Sequence, residues 1–438
     1  MLRAKRKTGL IFFPAFDWAI DPTHPEREER LLYTQDQAME EGLFDIEGLV
    51  EFKSDLVSEK DVRRVHFCVP DVASVMTESH FISAGSAKRM GVAVVTGEVE
   101  KGFAIVRPPG HHAKRVVHGA RGFCNVNIEA IMIEYLRTFH GIRRVAIVDT
   151  DCHHGDGSQD IYWHDPDTLF ISMHQDGRTL YPGSGFPEEM GGPNAAGRTL
   201  NIPLPPGTSE EGFLYVLENV VLPVLDEFKP DIIINSAGQD NHYTDPLTDM
   251  NFSAQGYARL TELLKPDIAV LEGGYSIEGA LPYVNIGIVL AMAGIDYSKV
   301  REPDYDPESI RQSEDISRRI RQVCDEVTDI WQRRYDITRE RQEGKEYEER
   351  VNRIFYDTDG IYETQHETVR ICRECAGALR IDSSSDRGNR IMAVHIPKNA
   401  CEQCKTAGFR WYEQAEPSLY RKIYLQNRPD DEFVEKVP

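Results

Sequence analysis

The chain has 438 residues and carries 50 Lys and Arg against 72 Asp and Glu, which gives a formal net charge of −22. Hydrophobic residues make up 40% of the chain, a composition typical of globular rather than disordered proteins. The acidic balance argues against a protein that coats DNA or RNA, because phosphate neutralisation needs at least a local surplus of Lys and Arg. The length allows one large domain with an appendage, or two to three smaller domains.

The N-terminal segment is predicted to form the first β-strand rather than a signal peptide. Its apolar run spans only about five residues before Pro14, and Asp17 follows without a small-residue cleavage site. No apolar stretch approaches the roughly 18 residues that a membrane span needs, so we expect no membrane association. Four scattered cysteines and two CxxC pairs favour the cytoplasm over a secreted disulfide scaffold.

From residue 102 to about 294, short β-branched runs alternate with longer helical patterns. The predicted strands are 103–107, 144–149, 169–173, 231–235 and 267–271, and the predicted helices are 127–139, 211–228 and 253–264. The strands are almost continuously apolar, as strands covered on both faces must be. This alternation predicts an α/β fold with a mostly parallel central sheet flanked by helices.

Beyond this region the character of the sequence changes. Apolar residues between 316 and 331 recur at spacings of three and four, which predicts an amphipathic helix with Ser313 as its N-cap. We therefore predict a catalytic domain at 1–335, a charged helical linker at 336–354 and a small cysteine-containing module at 355–438.

Chemically capable side chains follow four of the five predicted strands. They are His111 and His112 after the first, Asp149, Asp151, His153 and Asp156 after the second, Asp240 after the fourth and Tyr275 after the fifth. Ligands of parallel α/β sheets bind beyond the carboxyl ends of the strands. This convergence predicts an enzyme.

Asp149, Asp151 and His153 alternate along the chain and would share one side of an extended segment. A carboxylate and an imidazole there, joined by Asp240 from another strand, would form a divalent-metal site with open positions. The simpler alternative is a polar loop that caps a helix. The other strand ends favour the metal site.

The tandem His111-His112 after a Pro-Pro-Gly turn suits proton transfer, although a single histidine is more often structural. Asp149 and Asp156 remain available as carboxylates that fix the histidine tautomers. Tyr275 follows two glycines and is either a packed aromatic or an oxyanion donor beside the metal.

Seven motifs make the chain resemble the histone deacetylase superfamily, which includes acetyl-lysine and acetylpolyamine deacetylases and the acetoin-utilisation proteins. The motifs are HPEREERL (24–31), RPPGHHA (107–113), RGFCNVN (121–127), DTDCHHGDG (149–157), YPGSG (181–185), SAGQD (236–240) and LEGGY (271–275). They occur in the family's order and cover roughly residues 8–335. The last motif is similar to the bacterial and class II branch.

The resemblance implies an arginase-like α/β fold that holds a catalytic Zn²⁺ with Asp151, His153 and Asp240. It implies that His112 is the general base and acid, with His111 as its electrostatic partner. Asp149 would orient His111, Asp156 would orient His112, and Tyr275 would polarise the acetyl carbonyl. Relatives also carry a monovalent cation near positions matching Asp149, Asp151, His153, Ser172 and Met173, so K⁺ is an implied second ion; Fe²⁺ in place of Zn²⁺ is left open.

The resemblance also implies a substrate tunnel whose walls include Gly122, Phe123 and Tyr181. Seven residues after Asp240, where polyamine deacetylases carry a gatekeeper Glu, this chain has Leu247. An apolar residue there favours acetyl-lysine or a neutral acylamide over an acetylpolyamine. An acetylpolyamine or other small-amide deacetylase is the alternative.

Two CxxC pairs, Cys372/Cys375 and Cys401/Cys404, flank β-like runs at 379–382 and 390–395. This spacing is a zinc-ribbon signature and predicts a second, structural Zn²⁺; a redox pair is the alternative. Nearby basic and aromatic residues suggest contact with nucleic acid or a partner protein. A recruitment protein that acts through the ribbon is therefore a further alternative, and oligomerisation is left open.

Overall fold

The computed structural model describes residues 2–20 and 23–437, and a parallel β-sheet forms its centre. The strands in the described residues up to 270 are β1 (Arg3–Phe13), β2 (Glu47–Glu51), β3 (Phe67–Cys68), β4 (Lys101–Val106), β5 (Val116–Val117), β6 (Val145–Asp149), β7 (Thr168–Gln175), β8 (Thr199–Leu204), β9 (Ile232–Ser236) and β10 (Ile268–Val270). In the described ranges the main sheet has the order β2-β1-β4-β10-β9-β6-β7-β8, and its neighbouring strands all pair in parallel. Strands β3 and β5 form a separate parallel pair. The predicted parallel sheet is confirmed.

Helices cover both faces of the main sheet. They are α1 (Glu29–Glu40), α2 (Glu59–Arg63), α3 (Val72–Val75), α4 (Glu78–Val95), α5 (Ile128–Phe139), α6 (Asp156–Tyr162), α7 (Glu210–Val216), α8 (Leu222–Phe228), α9 (Ala254–Leu264), α10 (Leu281–Ala293) and α11 (Glu314–Gln342). A π-helical turn, Leu217–Val221, joins α7 to α8 just before Pro223, which lacks the N–H that a regular helix would use there. Helix α11 begins as predicted, with the Ser313 side chain accepting the N–H of Ile316.

The alternation of side chains along each strand divides the core into two layers. Phe103 and Ile105 of β4 belong to one buried cluster, which packs against α7, α8, α9, α10 and α11. Ala104 and Val106 of the same strand belong to the other cluster, which packs against α4 and α5. Because both faces are covered, the polar side chains of these strands gather at their ends, which positions the site.

The C-terminal part forms a second sheet. Its elements are β11 (Tyr347–Tyr356), β12 (Ile361–Arg370), β13 (Leu379–Ser385), β14 (Arg390–Ile396), α12 (Glu402–Gln414), β15 (Lys422–Asn427) and β16 (Glu432–Lys436). The strands pair in chain order, antiparallel except for the parallel pair β14–β15. The predicted hairpin β13–β14 is present. It lies at the centre of a six-stranded sheet, which is larger than the predicted small zinc ribbon.

The predicted helical linker at 336–354 differs from the structure. Its first part completes α11, whereas 347–354 belongs to β11 and pairs with β12 along its whole length. The exposed side chains of β11, Glu349, Val351, Arg353 and Phe355, alternate with less exposed ones, so this segment is an edge strand with one face toward solvent. The domain limits at 335 and 355 stay predictions.

The C-terminal sheet packs directly against the strand pair β3–β5. Phe67 and Val116 share a buried cluster with Leu379, Ile391 and Tyr424. The contact also contains buried ion pairs, such as Arg428 with Glu134 at 2.5 Å. This packing places the turn between β11 and β12 beside the carboxyl ends of the main-sheet strands. No helix in the described ranges is long and apolar enough to cross a bilayer.

Candidate active site

A cavity of about 260 Å³ opens at the carboxyl ends of β4, β6, β9 and β10. Its lining contains eight residues that were predicted from the sequence to belong to the site: His111, His112, Gly122, Phe123, His153, Tyr181, Leu247 and Tyr275. The lining is completed by Pro109, Leu180, Gly273 and Asp357. The structure therefore brings the predicted base, phenol and tunnel-wall residues into one space.

Asp151, His153 and Asp240 converge at the inner end of this cavity. Their candidate ligand atoms all lie within 4.8 Å of one another. Nδ1 of His153 is 2.7 Å from Oδ2 of Asp240 and 3.2 Å from Oδ1 of Asp151. Both carboxylates are fully buried, whereas His153 is partly accessible from the cavity. One nitrogen and two oxygens with an accessible side suit a catalytic zinc site.

The electrostatics of this group favour a bound cation. Burial lowers the pKa of His153, but the Asp240 and Asp151 carboxylates outweigh burial and raise it to about 10. Burial and the neighbouring Asp151 raise the pKa of Asp240 to about 6. Two buried carboxylates this close need a positive charge between them. Gly273 accommodates them, because a Cβ there would meet Oδ2 of Asp240 at 2.5 Å.

Each of the adjacent histidines is hydrogen-bonded to its own buried carboxylate. Nδ1 of His111 lies 3.0 Å from Oδ2 of Asp149, and Nδ1 of His112 lies 2.9 Å from Oδ1 of Asp156. These are the pairs that the resemblance implies. Helix α6 begins at Asp156, and the strand β6 ends at Asp149, so two consecutive elements supply the carboxylates.

The two histidines have opposite charge preferences. Burial lowers the pKa of His111, but Asp151 and Asp149 outweigh burial and raise it well above the usual value. Burial and the nearby His111 charge lower the pKa of His112 to about 3. His112 is therefore neutral with Nδ1 held by Asp156, which leaves Nε2 as a proton acceptor.

Tyr275 is positioned by residues to which the sequence analysis gave no role. The Tyr275 N–H donates to Oδ2 of Asp245 at 2.7 Å. Arg30 donates to the carbonyl of Gly274 at 2.7 Å and to that of Glu272 at 2.6 Å, and its guanidinium covers the Tyr275 ring. Burial raises the pKa of Tyr275 well above 10, which keeps the phenol protonated.

A buried network supports these contacts from behind. Glu26 forms ion pairs with Arg30 and with Arg107, all three being fully buried. Oε2 of Glu272 accepts the N–H groups of Gly110 and His111 at 2.7 and 3.0 Å. The i, i+4 spacing of Glu26 and Arg30 in the HPEREERL motif was the available sequence signal for this network.

The cavity wall requires an unusual backbone at Gly122. Its φ is +52°, and a Cβ there would lie 2.3 Å from Cδ2 of His112. The Phe123 ring meets the Tyr275 ring edge-on at 5.8 Å. Tyr181 and Leu247 are 37% and 38% exposed, so they mark the outer mouth. The aliphatic chain of a ligand fits between these walls.

The cysteine cluster fits a tetrahedral metal site. The four Sγ atoms of Cys372, Cys375, Cys401 and Cys404 lie within 4.8 Å of one another, with two of the separations at 3.6 and 3.7 Å. Tetrahedral thiolates at a Zn–S distance of about 2.3 Å would be about 3.8 Å apart. The side chain of Asn194, in the main domain, accepts the Cys372 N–H at 2.9 Å, which ties the cluster to the main domain.

The residues of the implied K⁺ site also lie together. Ser172 of β7 is paired with Asp149 of β6, and Ser172 and Met173 are buried. Oγ of Ser172 is 2.8 Å from Nδ1 of His174. The identity of an ion at this place stays a prediction.

A parallel α/β sheet that gathers acidic, histidine and tyrosine side chains at its carboxyl edge is typical of a hydrolytic enzyme, and comparisons with known proteins place the chain more closely. Residues 68–285 match the family model of the histone deacetylase domain. A probable deacetylase of Archaeoglobus fulgidus is 44% identical over 337 residues, which cover 70% of this chain and 92% of that protein. A histone deacetylase-like amidohydrolase of Pseudomonas aeruginosa is 35% identical over 51% of this chain and 60% of that protein.

A solved structure, described as the HDA15 HD domain, superimposes with a TM-score of 0.65 at 25% identity. The match covers 76% of this chain and 98% of that one. The chain belongs to the histone deacetylase family and is a hydrolase that acts on amides. The predicted resemblance, fold class and enzyme class are confirmed.

Proposed function

We propose that the protein is a zinc-dependent deacylase that hydrolyses the amide of acetyl-lysine or of a similar acylated amine. The observation that carries this proposal is the single cavity that combines the Asp151–His153–Asp240 group, the neutral His112 and the protonated Tyr275. These are the three chemical functions that amide hydrolysis needs: an electrophile site, a base and an oxyanion donor.

Asp151, His153 and Asp240 would hold the zinc ion. When bound, zinc supplies Lewis acidity toward the amide carbonyl and the attacking water. The chemistry of the donor set, one imidazole and two carboxylates, supports zinc.

His112 moves the protons. Its Nδ1 donates to Asp156, so Nε2 takes the proton of the attacking water and later gives it to the leaving amine. The positive charge on His111 beside it favours the return of that proton, because it disfavours a second charge on His112.

Tyr275 donates its phenol proton in a hydrogen bond to the carbonyl oxygen as that oxygen gains negative charge. Arg30 and Asp245 hold the backbone around Tyr275, so the donor is positioned before substrate arrives. Phe123 and Tyr181 present aromatic surfaces to the aliphatic stem of the acylated amine.

A deacylation panel tests the proposal. Acetyl-lysine peptides, acetylpolyamines and longer acyl chains would be assayed with the wild type, His112→Ala and Tyr275→Phe. We expect turnover by the wild type and losses of at least about 100-fold in kcat for both variants. Tyr135→Phe, on α5, and His140→Ala, directly after α5, are matched controls that should retain activity. Absence of turnover of every amide would contradict the proposal.

The second candidate is an acetylpolyamine deacetylase, and a relative of that name supports it: an acetylpolyamine amidohydrolase of Burkholderia pseudomallei is 39% identical over 45% of this chain. The same panel separates the two through relative kcat/KM. For the C-terminal module we propose a structural zinc ion at the four cysteines. Contact of this module with nucleic acid or another protein stays a prediction, as do K⁺ and the cytoplasmic location.

A further inference from the structure

The C-terminal sheet contributes a carboxylate to the mouth of the catalytic cavity. Asp357 lies at the turn between β11 and β12 and is part of the cavity lining. Its Oδ1 accepts the N–H of Gly122 and the hydroxyl of Tyr181, both at 3.0 Å. Two wall residues of the tunnel are therefore fixed by a residue that is more than 170 positions away in the chain.

The charge of Asp357 has no ionic partner within 4.0 Å among the described residues. The guanidinium of Arg121 attracts Asp357 through space, but its ion pair is with Asp156, at 2.5 Å, and it lies over the Tyr181 ring. The lining of the cavity contains no Lys or Arg side chain in the part of the chain that the structure describes. The second oxygen of Asp357, Oδ2, makes no hydrogen bond with described residues.

The position of Asp357 matches the outer end of a substrate. The inner end of the cavity is defined by His153 and Tyr275, where the acyl group would react. Tyr181 and Leu247 are partly exposed at the mouth, and Asp357 is exposed beside them. An acylated amine that reaches the inner end must place the far end of its amine portion near this carboxylate.

We propose that Asp357 forms a subsite for a second, protonated amino group of the substrate. Acylated diamines and polyamines are the substrate class that this subsite fits, since a free ammonium group supplies the charge and the donors that Asp357 lacks. This inference rests on the proposed function. Leu247 predicted a preference for neutral amides, because an apolar side chain offers nothing to an ammonium group. The C-terminal sheet, however, supplies a carboxylate at the same mouth of the cavity.

The neighbouring Asp359 is a control that distinguishes binding of substrate by Asp357 from attachment of the turn to the main domain. Its Oδ2 accepts the Ala120 N–H at 2.6 Å, and it does not line the cavity. Asp359 therefore anchors the turn to the main domain, whereas Asp357 also faces the space that substrate occupies. An Asn at either position keeps one oxygen that can accept these hydrogen bonds, while it removes the charge and replaces the second oxygen with an NH2 donor.

The test compares two substrates of equal length. N-acetylcadaverine ends in an ammonium group, and N-hexylacetamide has a methyl group in its place. We expect the wild type to prefer the cationic amide in kcat/KM by about two- to fivefold, the size of an exposed ion pair. Asp357→Asn should bring the ratio of kcat/KM for the cationic amide to kcat/KM for the neutral amide close to one, whereas Asp359→Asn should keep the wild-type ratio. The wild-type preference should also fall with rising salt, because the carboxylate is solvent-exposed.

Equal kcat/KM of the wild type for both amides would overturn the subsite, and so would an equal loss for both in Asp357→Asn, which would indicate a positioning role. A selective loss for acetyl-lysine peptides with blocked termini would assign the carboxylate to peptide N–H groups instead. No turnover of any amide by the wild type would contradict the proposed function rather than the subsite.

Discussion

The guanidinium of Arg30 lies 4.9 Å from the centre of the Tyr275 ring. The same group donates to the carbonyls of Glu272 and Gly274, so Arg30 holds both the ring and the backbone that carries it. Arg30 is buried with Glu26 in an ion pair at the first turn of α1. The N-terminal helix is thereby connected to the phenol of the site.

We expect Arg30→Lys to lower kcat by roughly tenfold to a hundredfold with a smaller change in KM. Lys keeps the charge that Glu26 requires, but one ammonium cannot reproduce the fork that bonds two carbonyls at once, so Tyr275 would be misplaced. Steady-state kinetics of the variant on the best substrate of the panel measures this. Arg3→Lys, at an exposed ion pair, is the control. An unchanged kcat would show that Arg30 does not position Tyr275.

Gly122→Ala should abolish most of the activity while leaving the fold intact. The added Cβ would lie 2.3 Å from the His112 ring, which must move away from its position beside the metal ligands. We expect kcat/KM to fall by at least about 100-fold, since displacement of a reacting group by about 1 Å has effects of this size.

Gly141→Ala provides the matched control for this variant. Gly141 also has a positive φ, +71°, but its Cβ would meet nothing within 4 Å. Both variants carry the same backbone strain, about 1 kcal/mol in the free energy of unfolding. Thermal unfolding should therefore shift in both variants, further in Gly122→Ala because of the additional contact with His112, and only Gly122→Ala should lose activity. Loss of activity in both would assign the effect to strain rather than to His112.

The main sheet and its site could be predicted because two simple signals coincide there. Apolar runs such as the one around Ile147 identify buried strands, and the polar residues that follow them, such as Asp151 and His153, must meet at one sheet edge. The pairing of His112 with Asp156 was implied by the family resemblance alone, because the strand-end pattern left open which carboxylate meets which histidine. The roles of these side chains stay predictions until activity is measured.

Apart from the β13–β14 hairpin, the C-terminal sheet could not be predicted from hydrophobic periodicity. The side chains of β12 that face inward include Glu363, Gln365 and Glu367, so the buried positions of this strand are largely polar. Partners on the neighbouring strand β11 hold two of them, since the Tyr356 hydroxyl donates to Glu363 at 2.6 Å and Arg350 donates to Glu367 at 2.9 Å. Oε1 of Gln365 has no hydrogen-bond partner among the described residues. Alternation of apolar and polar residues, the usual strand signal, is absent in such a segment.

Asp357 could not be predicted for a different reason. Its place in the site depends on the docking of the whole C-terminal sheet, through contacts such as Tyr424 with the carbonyl of Cys68 at 2.9 Å. The local sequence around Asp357 predicts a turn and carries no information about the surface that this turn meets.

The cysteine cluster predicts a metal content that can be counted. We expect about two zinc ions per chain in the wild type and about one in Cys401→Ser/Cys404→Ser, because tetrahedral thiolate sites release their metal when ligands are lost. Atomic-emission analysis of the purified proteins measures this. Cys68→Ala removes a buried thiol outside the cluster and is the control. An unchanged zinc content in the double variant would contradict a structural site at these cysteines.

The contact between Arg64 and Asp431 predicts how acid weakens the attachment of the C-terminal sheet. Partial burial raises the pKa of Asp431, but hydrogen bonds from Arg64 and Lys60 outweigh burial and lower it from 3.8 to about 2. The pKa is thus lower in the folded chain, so this carboxylate stabilises the fold above about pH 4. Its contribution should disappear as the pH falls from 4 to 2.

Comparison of the wild type with Asp431→Asn in urea at pH 6, 4 and 2.5 tests this sign. The wild type should have the higher unfolding midpoint at pH 6, and the difference should shrink toward pH 2.5, since the protonated Asp431 no longer differs in charge from Asn. Asp430→Asn, on the same turn but bonded to Asn427 rather than to Arg64, should show no such convergence. A difference between wild type and Asp431→Asn that stays constant with pH would mean that Asp431 acts through packing and not through its charge.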